Sequence, residues 1–406
     1  AHAMSLWAKV EAGPADPILG LVEEFKKDSR PNKFSLVVGA YRNDAGAPWV
    51  LPSVKAAEEL VVSSGTDKEY LPITGLSGFV SAARQFALGA ESAAIEAGRV
   101  SSVQTLSGTG ACRLIAEFYA KFLGKGTALY LPVPSWGNHA KIFAAAGLEV
   151  RTYRYWDPST LGLDYDGMTA DLASAPIGSA VLLHACAHNP TGVDPSEPQW
   201  RALCEFFKAR PDLAVFFDSA YQGFASGDAE RDAFSLRLFE KEGVDFALAQ
   251  SFAKNFGLYG ERVGVLSILC ADQAEAARVT SQLKLIIRPM YSSPPLAGAR
   301  IVEAVLTNPD LCLQWRSECK TMADRIIAMR LALKAALEKA GSTKDWNHVT
   351  NQIGMFCFSG LGPKQVEQLK SEHAIYTTTD GRISMAGINS ANVDYIASSI
   401  HAVSKL

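Results

Sequence analysis

The sequence contains no paired cysteines. Its seven, Cys112, Cys186, Cys204, Cys270, Cys312, Cys319 and Cys357, are scattered, odd in number and never spaced as a CxxC pair. This argues against a disulfide framework or a zinc site and suits buried thiols in a reducing compartment. No apolar run approaches the roughly 20 residues a membrane-spanning helix needs. An excess of one charge is also missing: the formal net charge is −3, with no basic stripe. Electrostatics therefore gives no reason to expect nucleic acid or an anionic membrane as partner. The stretch after Met4 is neither Arg-rich nor endowed with a secretory apolar segment. Ala1-His2-Ala3 before it reads as an expression remnant, so residues 1–4 are set aside.

What is present is a chain of 406 residues, 48% hydrophobic and 20% charged. That length allows two or three domains, and that composition an extensive core. Short apolar runs alternate with helix-period segments from about residue 48 to 270. Ala128–Leu131, Ala180–Leu183, Leu213–Phe217 and Phe246–Ala249 read as buried strands of a mostly parallel sheet. Val263–Leu269 follows closely enough to return as an antiparallel neighbour. Between Asp310 and Ala340 the apolar positions step by three, four and seven, which predicts one long helix stopped by Gly341. Gly354–Ser359 and Ile383–Met385 read as strands of a second, smaller α/β unit. That unit is expected to recruit the segment around Val37–Tyr41.

Ligands of open α/β sheets sit beyond the carboxyl ends of the strands. Here those ends carry Asn189-Pro190-Thr191-Gly192, then Asp218 and Tyr221, then Ser251 and Lys254. Singly, each has a bland explanation as a turn asparagine, a strand-end aspartate or an exposed lysine. Together they match the needs of pyridoxal phosphate: an amine for a Schiff base, a carboxylate beside the pyridine nitrogen, donors to the ring oxygen and a phosphate cradle. Lys254 supplies the amine, Asp218 keeps the pyridinium protonated, and Asn189 and Tyr221 reach the ring oxygen. Ser107-Gly108-Thr109 opens a helical segment whose free N–H groups suit a phosphate. Ser251 and Arg262 complete that cradle. Trp136 either stacks on the ring or fills the core. His184 and His188 flank Cys186, but on a strand end and loop without a third ligand. They are read as structural, with no metal expected.

Ser251–Arg262, His184–Gly192, Glu69–Ile73, Phe217–Phe224 and Arg288–Pro295 resemble the aspartate aminotransferase family of fold type I, and the likeness runs from about residue 7 to the end. The resemblance implies an α/β architecture with three parts: an N-terminal arm over 5–13, a large cofactor-binding domain over 48–321, and a small domain of 14–47 and 322–406. It implies a homodimer with shared sites, in which Tyr70 crosses to the partner's cofactor phosphate and Arg288 to the side-chain carboxylate of its substrate. Arg382 would clamp the α-carboxylate, Gly39 would offer its backbone, and His139 would support Asp218. Two cationic forks suit a dicarboxylate such as aspartate or 2-oxoglutarate, because Arg matches carboxylate geometry where Lys does not. A broader enzyme that also takes aromatic amino acids stays open.

Two departures from the family pattern stand out. Ser293 replaces the usual Asn before Pro294-Pro295, and the chain ends in Ser404-Lys405-Leu406. The latter predicts a peroxisome-type address, with the cytoplasm as the alternative. A nicotinamide-dependent oxidoreductase is the competing class. Gly108-Thr109-Gly110 begins its loop, but Arg113 stands where the third glycine belongs. A non-catalytic scaffold would need a broken site, and no position is broken.

Overall fold

The computed structural model describes residues 5–14, 16 and 18–405, so the remnant at 1–4 and Leu406 lie outside the described residues. Its centre is a seven-stranded sheet built from β1 (Val100–Leu106), β2 (Ala128–Val133), β3 (Glu149–Arg154), β4 (Ala180–His184), β5 (Ala214–Ser219), β6 (Phe246–Ser251) and β7 (Val263–Leu269). The spatial order is β1-β7-β6-β5-β4-β2-β3, and only β7 runs antiparallel to its neighbours. The α/β reading and the reversed last strand are thus borne out. The two edge strands, β1 and β3, were not anticipated. Both are only partly apolar, with Ser, Gln, Thr, Arg or Glu at intervals, and so lack the continuous hydrophobic signature of a strand buried on both faces.

The inner strands show why that signature works. Val181, Leu183, Val215, Phe217, Phe246 and Leu248 join one core, while Leu182, Phe216, Ala247 and Ala249 point into another on the opposite face. Alternation along each strand sends neighbours to opposite sides, and both sides are covered by helices. One covering helix, α1 (Ser107–Phe122), starts directly where β1 ends and packs on β6 and β7. A second, α2 (Gln273–Met290), covers β1 and ends at the loop carrying Tyr291 and Ser292.

The long helix, α3 (Pro309–Lys339), matches the predicted span. Asn308 caps it by accepting from the backbone N–H of Asp310 and Leu311, and Pro309 fits the first turn, where no donor is needed. Its buried Trp315, Met322, Ile326, Leu333 and Leu337 share a third core with the C-terminal segments. There Phe356–Phe358 pairs antiparallel with Arg382–Ser384. The N-terminal segment is recruited slightly earlier than expected, as Phe34–Ser35 beside Ile375–Tyr376. Leu36 then ties the two short sheets together: its N–H donates to Tyr376 and its carbonyl accepts from Ser384. Val37–Tyr41 leaves the strand and runs toward the large sheet instead. The backbone N–H of Tyr41 is taken by the Tyr259 hydroxyl at 2.8 Å, a side-chain partner that competes with strand pairing.

Candidate active site

The carboxyl ends of β4, β5 and β6 open into a pocket of about 190 Å³, and the start of α1 closes one side. Ser107, Gly108, Thr109, Trp136, Asn189, Asp218, Tyr221, Ser251, Lys254 and Arg262 all line it. Residues separated by more than 150 positions are brought together because each lies at or beyond the carboxyl end of a parallel strand or, for Arg262, at the start of the one antiparallel strand. His184 and Cys186, read as structural, line it as well.

Asp218 is held from behind. His139 Nε2 lies 2.8 Å from its Oδ2, and Ser135 Oγ lies 2.8 Å from His139 Nδ1. His139 thus bridges the Ser135 hydroxyl and the Asp218 carboxylate through its two ring nitrogens. Burial alone would raise the Asp218 carboxyl. The His139 hydrogen bond and the charges around it outweigh burial, and the carboxyl falls below its ordinary range. A lasting anion therefore points into the pocket. The thiol of Cys112 approaches the same pair, with ligand atoms of Cys112, His139 and Asp218 all within 4.8 Å. His139 and Asp218 already satisfy one another there.

Beneath this carboxylate the imidazoles are kept neutral. Burial first, then the charge of His139, draws His184 down to about 3, and burial likewise pushes His188 well down. His188 stacks on Tyr155 at 4.0 Å between centroids and meets the Thr191 hydroxyl at 2.7 Å. Asp194 accepts the backbone N–H groups of Ala187 and His188, fixing the loop that presents Asn189. The Asn189 side-chain oxygen itself is buried and without a partner among the described residues. A buried amide oxygen left unpaired costs about 1–3 kcal/mol, so its lone pairs await a group in the pocket.

Lys254 faces Asp218 from the adjacent strand end. Burial and the nearby Arg262 draw its amine down to about 8, against the opposing pull of Asp218. Its ammonium sits 5.3 Å from the centre of the Tyr259 ring, the same tyrosine that bonds Tyr41. Tyr259 was not singled out from the sequence. Its place five residues after Lys254 was the available signal. Burial also raises the Tyr221 phenol, so it stays protonated as a donor. The hydroxyls of Ser107 and Ser251 lie 3.0 Å apart at the start of α1. This donor set suits a phosphate, while Asp218 opposite suits a ring nitrogen.

Arg382 stands at the pocket's rim beside Trp136 and Asn189. It is 5% exposed, its Nη2 donates to Val37 at 3.0 Å, its face lies 4.1 Å from the centre of the Phe356 ring, and its Nε has no partner among the described residues. Among the described residues no carboxylate forms an ion pair with it, Asp380 acting only through its charge, and its Nε stays open beside the site. Gly39 follows the same Val37 segment. A Cβ there would come within 2.7 Å of the Phe356 ring, which holds this backbone close to the rim. The remaining two residues do not join the pocket of their own chain. Tyr70 is 90% exposed, and Arg288, exposed at the end of α2, donates to the Ser292 hydroxyl. Ser293 places only its backbone, bonded to Tyr291, beside that contact.

With this geometry in view, comparison with known proteins is decisive. The model of the family "Aminotransferase class I and II" matches residues 31–400. The chain belongs to that family. It is a pyridoxal-phosphate-dependent transaminase acting on amino and oxo acids. It is 55% identical to the mitochondrial aspartate aminotransferase of Xenopus tropicalis over 404 residues, covering 100% of this chain and 94% of that one. It is 54% identical to the mitochondrial enzyme of Dictyostelium discoideum, covering 98% and 93%. Among solved structures, the aromatic-amino-acid aminotransferase of Burkholderia pseudomallei, covalently bound to pyridoxal phosphate, superposes with a TM-score of 0.95. Identity there is 45%, with 98% of this chain and 100% of that one covered.

These relatives overturn the peroxisomal address expected from Ser404-Lys405-Leu406, and they do not support the cytoplasmic alternative. Both curated relatives are named mitochondrial. The structure adds a physical reason at the tripeptide's first residue: Ser404 ends the helix Val393–Ser404, is buried and donates its hydroxyl to the His401 carbonyl, so that side chain is not offered to a receptor. No helix among the described residues is long and apolar enough to cross a membrane.

Proposed function

We propose that the enzyme transfers the amino group of L-aspartate to 2-oxoglutarate, giving oxaloacetate and L-glutamate. The observation that carries this reading is the opposition, in one pocket, of a neutralisable amine on Lys254 and a persistent carboxylate on Asp218, with Arg382 open at the rim. Pyridoxal phosphate, when bound, supplies the electron sink for carbanion chemistry. Ser107, Gly108, Thr109, Ser251 and Arg262 would hold its phosphate, with Tyr70 of a second copy. Asp218, backed by His139, would keep its ring nitrogen protonated. Asn189 and Tyr221 would bond its ring oxygen, and Trp136 would lie against the ring.

Lys254 would anchor the cofactor, and its amine, when free, would be the base that moves the proton from the substrate α-carbon. An amine near 8 suits both roles, because a useful fraction is unprotonated at neutral pH. Arg382 and Gly39 fix the α-carboxylate end, and Arg288 of the second copy pairs with the far carboxylate. One site that meets both substrates in turn gives ping-pong kinetics.

The chain works as a homodimer in this reading, since Tyr70 and Arg288 face away from their own pocket. Exposed Leu6, Trp7 and Val10 in the arm over 5–13 favour docking onto a partner. The large domain spans 48–321, and 14–47 with 322–406 form the small one. The relatives' names favour a mitochondrial setting.

Absorbance of the purified enzyme, recorded before and after aspartate and then after 2-oxoglutarate, tests the reaction. The cofactor band should shift and then return. A spectrum that aspartate leaves unchanged overturns the assignment. The Burkholderia relative's aromatic specificity keeps a second reading in play. Comparison of kcat/KM for aspartate and phenylalanine separates the two.

A further inference from the structure

Gln104 lies in β1, away from the pocket, and is fully buried. Its side chain joins two loops that are distant in sequence. Oε1 accepts the Leu76 N–H at 3.0 Å, and Nε2 donates to the Pro295 carbonyl at 2.6 Å. Its backbone serves the same loops: its N–H donates to Thr74, and its carbonyl accepts the Tyr291 hydroxyl at 3.2 Å. Gly75 is shaped around it. With φ at +93°, a Cβ on Gly75 would stand 2.2 Å from the Gln104 Cβ, so only glycine lets the turn close over this amide.

The two loops adjoin the two residues that do not line their own pocket. Residues 71–76 follow Tyr70, and 291–295 follow the helix end that carries Arg288. Arg300, on the helix that continues the second loop, reaches back to Thr66 and Asp67 just before Tyr70. Both segments are therefore fastened to one another, and Gln104 is the fully buried link.

We propose that Gln104 is a positioning residue acting across the dimer: it sets the aim of Tyr70 and Arg288 together, and so governs cofactor retention and dicarboxylate selectivity in the partner's site. This rests on the proposed donation of those two residues between subunits. A buried amide with both ends used has no slack, because losing either bond strands a polar group in the core.

The test uses Gln104→Met, which keeps the volume and removes both side-chain bonds. Its homodimer should show the KM for aspartate raised roughly tenfold and cofactor affinity weakened by a similar factor, the scale of one or two buried hydrogen bonds. Hybrid dimers pairing a Gln104→Met subunit with a Lys254→Ala subunit should return to wild-type KM. There the only competent lysine receives its Tyr70 and Arg288 from an unaltered Gln104. Hybrids of Arg288→Ala with Lys254→Ala test the underlying reading alone. If these fail to recover aspartate turnover, donation between subunits is wrong. If they recover and the Gln104→Met hybrids do not, the role of Gln104 is overturned. Should Gln104→Met not fold, Tyr291→Phe removes one of the two bonds between Gln104 and the Arg288 side, leaving the Pro295 bond and both bonds to the Tyr70 side in place. It should raise the aspartate KM and leave cofactor affinity unchanged, and equal loss of both, or of neither, rejects the scheme.

Discussion

Lys254 and Arg288 are both cations assigned to one active site, yet the chain gives them opposite surroundings. Lys254 is enclosed by strand ends, loses affinity for its proton through burial, and faces Asp218 within its own subunit. Arg288 is exposed, makes one contact to the neighbouring Ser292, and lines no part of the pocket. The floor of the site is thus completed by one fold, whereas Arg288 lies outside the pocket of its own chain. Burial sets the chemistry of the floor, because an amine and a carboxylate removed from water respond strongly to each other. Arg288, left in water, makes its hydrogen bond to the Ser292 hydroxyl alone among the described residues.

The largest effect expected is on the floor. Lys254→Ala should retain cofactor and lose transamination by roughly 10⁴-fold, the upper range for a positioned acid–base group, as read by single-turnover absorbance. Undiminished turnover would break the assignment. Asp218→Asn should lower kcat by roughly 10³-fold, comparable to removing a major preorganised charge, and His139→Ala should reproduce part of that loss.

The buried lysine also predicts a pH dependence of stability. In the cofactor-free enzyme Lys254 titrates near 8, against an ordinary 10.5. Between those values the unfolded chain binds the extra proton, so the stability tied to this group is present above 10.5 and lost as pH falls through about 8. Lys254→Met should accordingly stabilise the cofactor-free form by about 3 kcal/mol at pH 7. The advantage should vanish toward pH 10.5 in urea unfolding. A pH-independent difference would show that the amine is not desolvated.

On the rim, Arg288→Ala should cut kcat/KM for aspartate about 100-fold while sparing alanine, because only a far carboxylate uses that guanidinium. Equal loss for both substrates would erase the contrast between rim and floor. The smallest change belongs to Tyr70→Phe, which should weaken cofactor affinity about fivefold, one hydrogen bond's worth, in equilibrium titration.

Much of this was legible in the sequence for identifiable reasons. Phe217 and Leu248 lie on strands apolar on both faces, so their runs are continuous, and the polar residues that interrupt them mark the strand ends. Asp218, Ser251 and Lys254 were found that way. Tyr259 and Ser135 were not, because a tyrosine under an ammonium and a serine behind a histidine carry no pattern along the chain. Ser404 shows the opposite error: the first residue of a tripeptide read as a signal is the buried last residue of a helix.

By itself the sequence determined the residue types, their order after each strand, and hence the cofactor class, while the reaction followed from the motifs' resemblance to one family. The cofactor class follows from local chemistry at strand ends that the hydrophobic pattern marks. The tertiary structure alone decided that His139 backs Asp218, that Lys254 is desolvated enough to act as a base, and that Gln104 fastens Tyr70's loop to Arg288's. Each depends on distances between segments 28 to 191 residues apart, and electrostatics and hydrogen bonds respond to distance through space rather than along the chain.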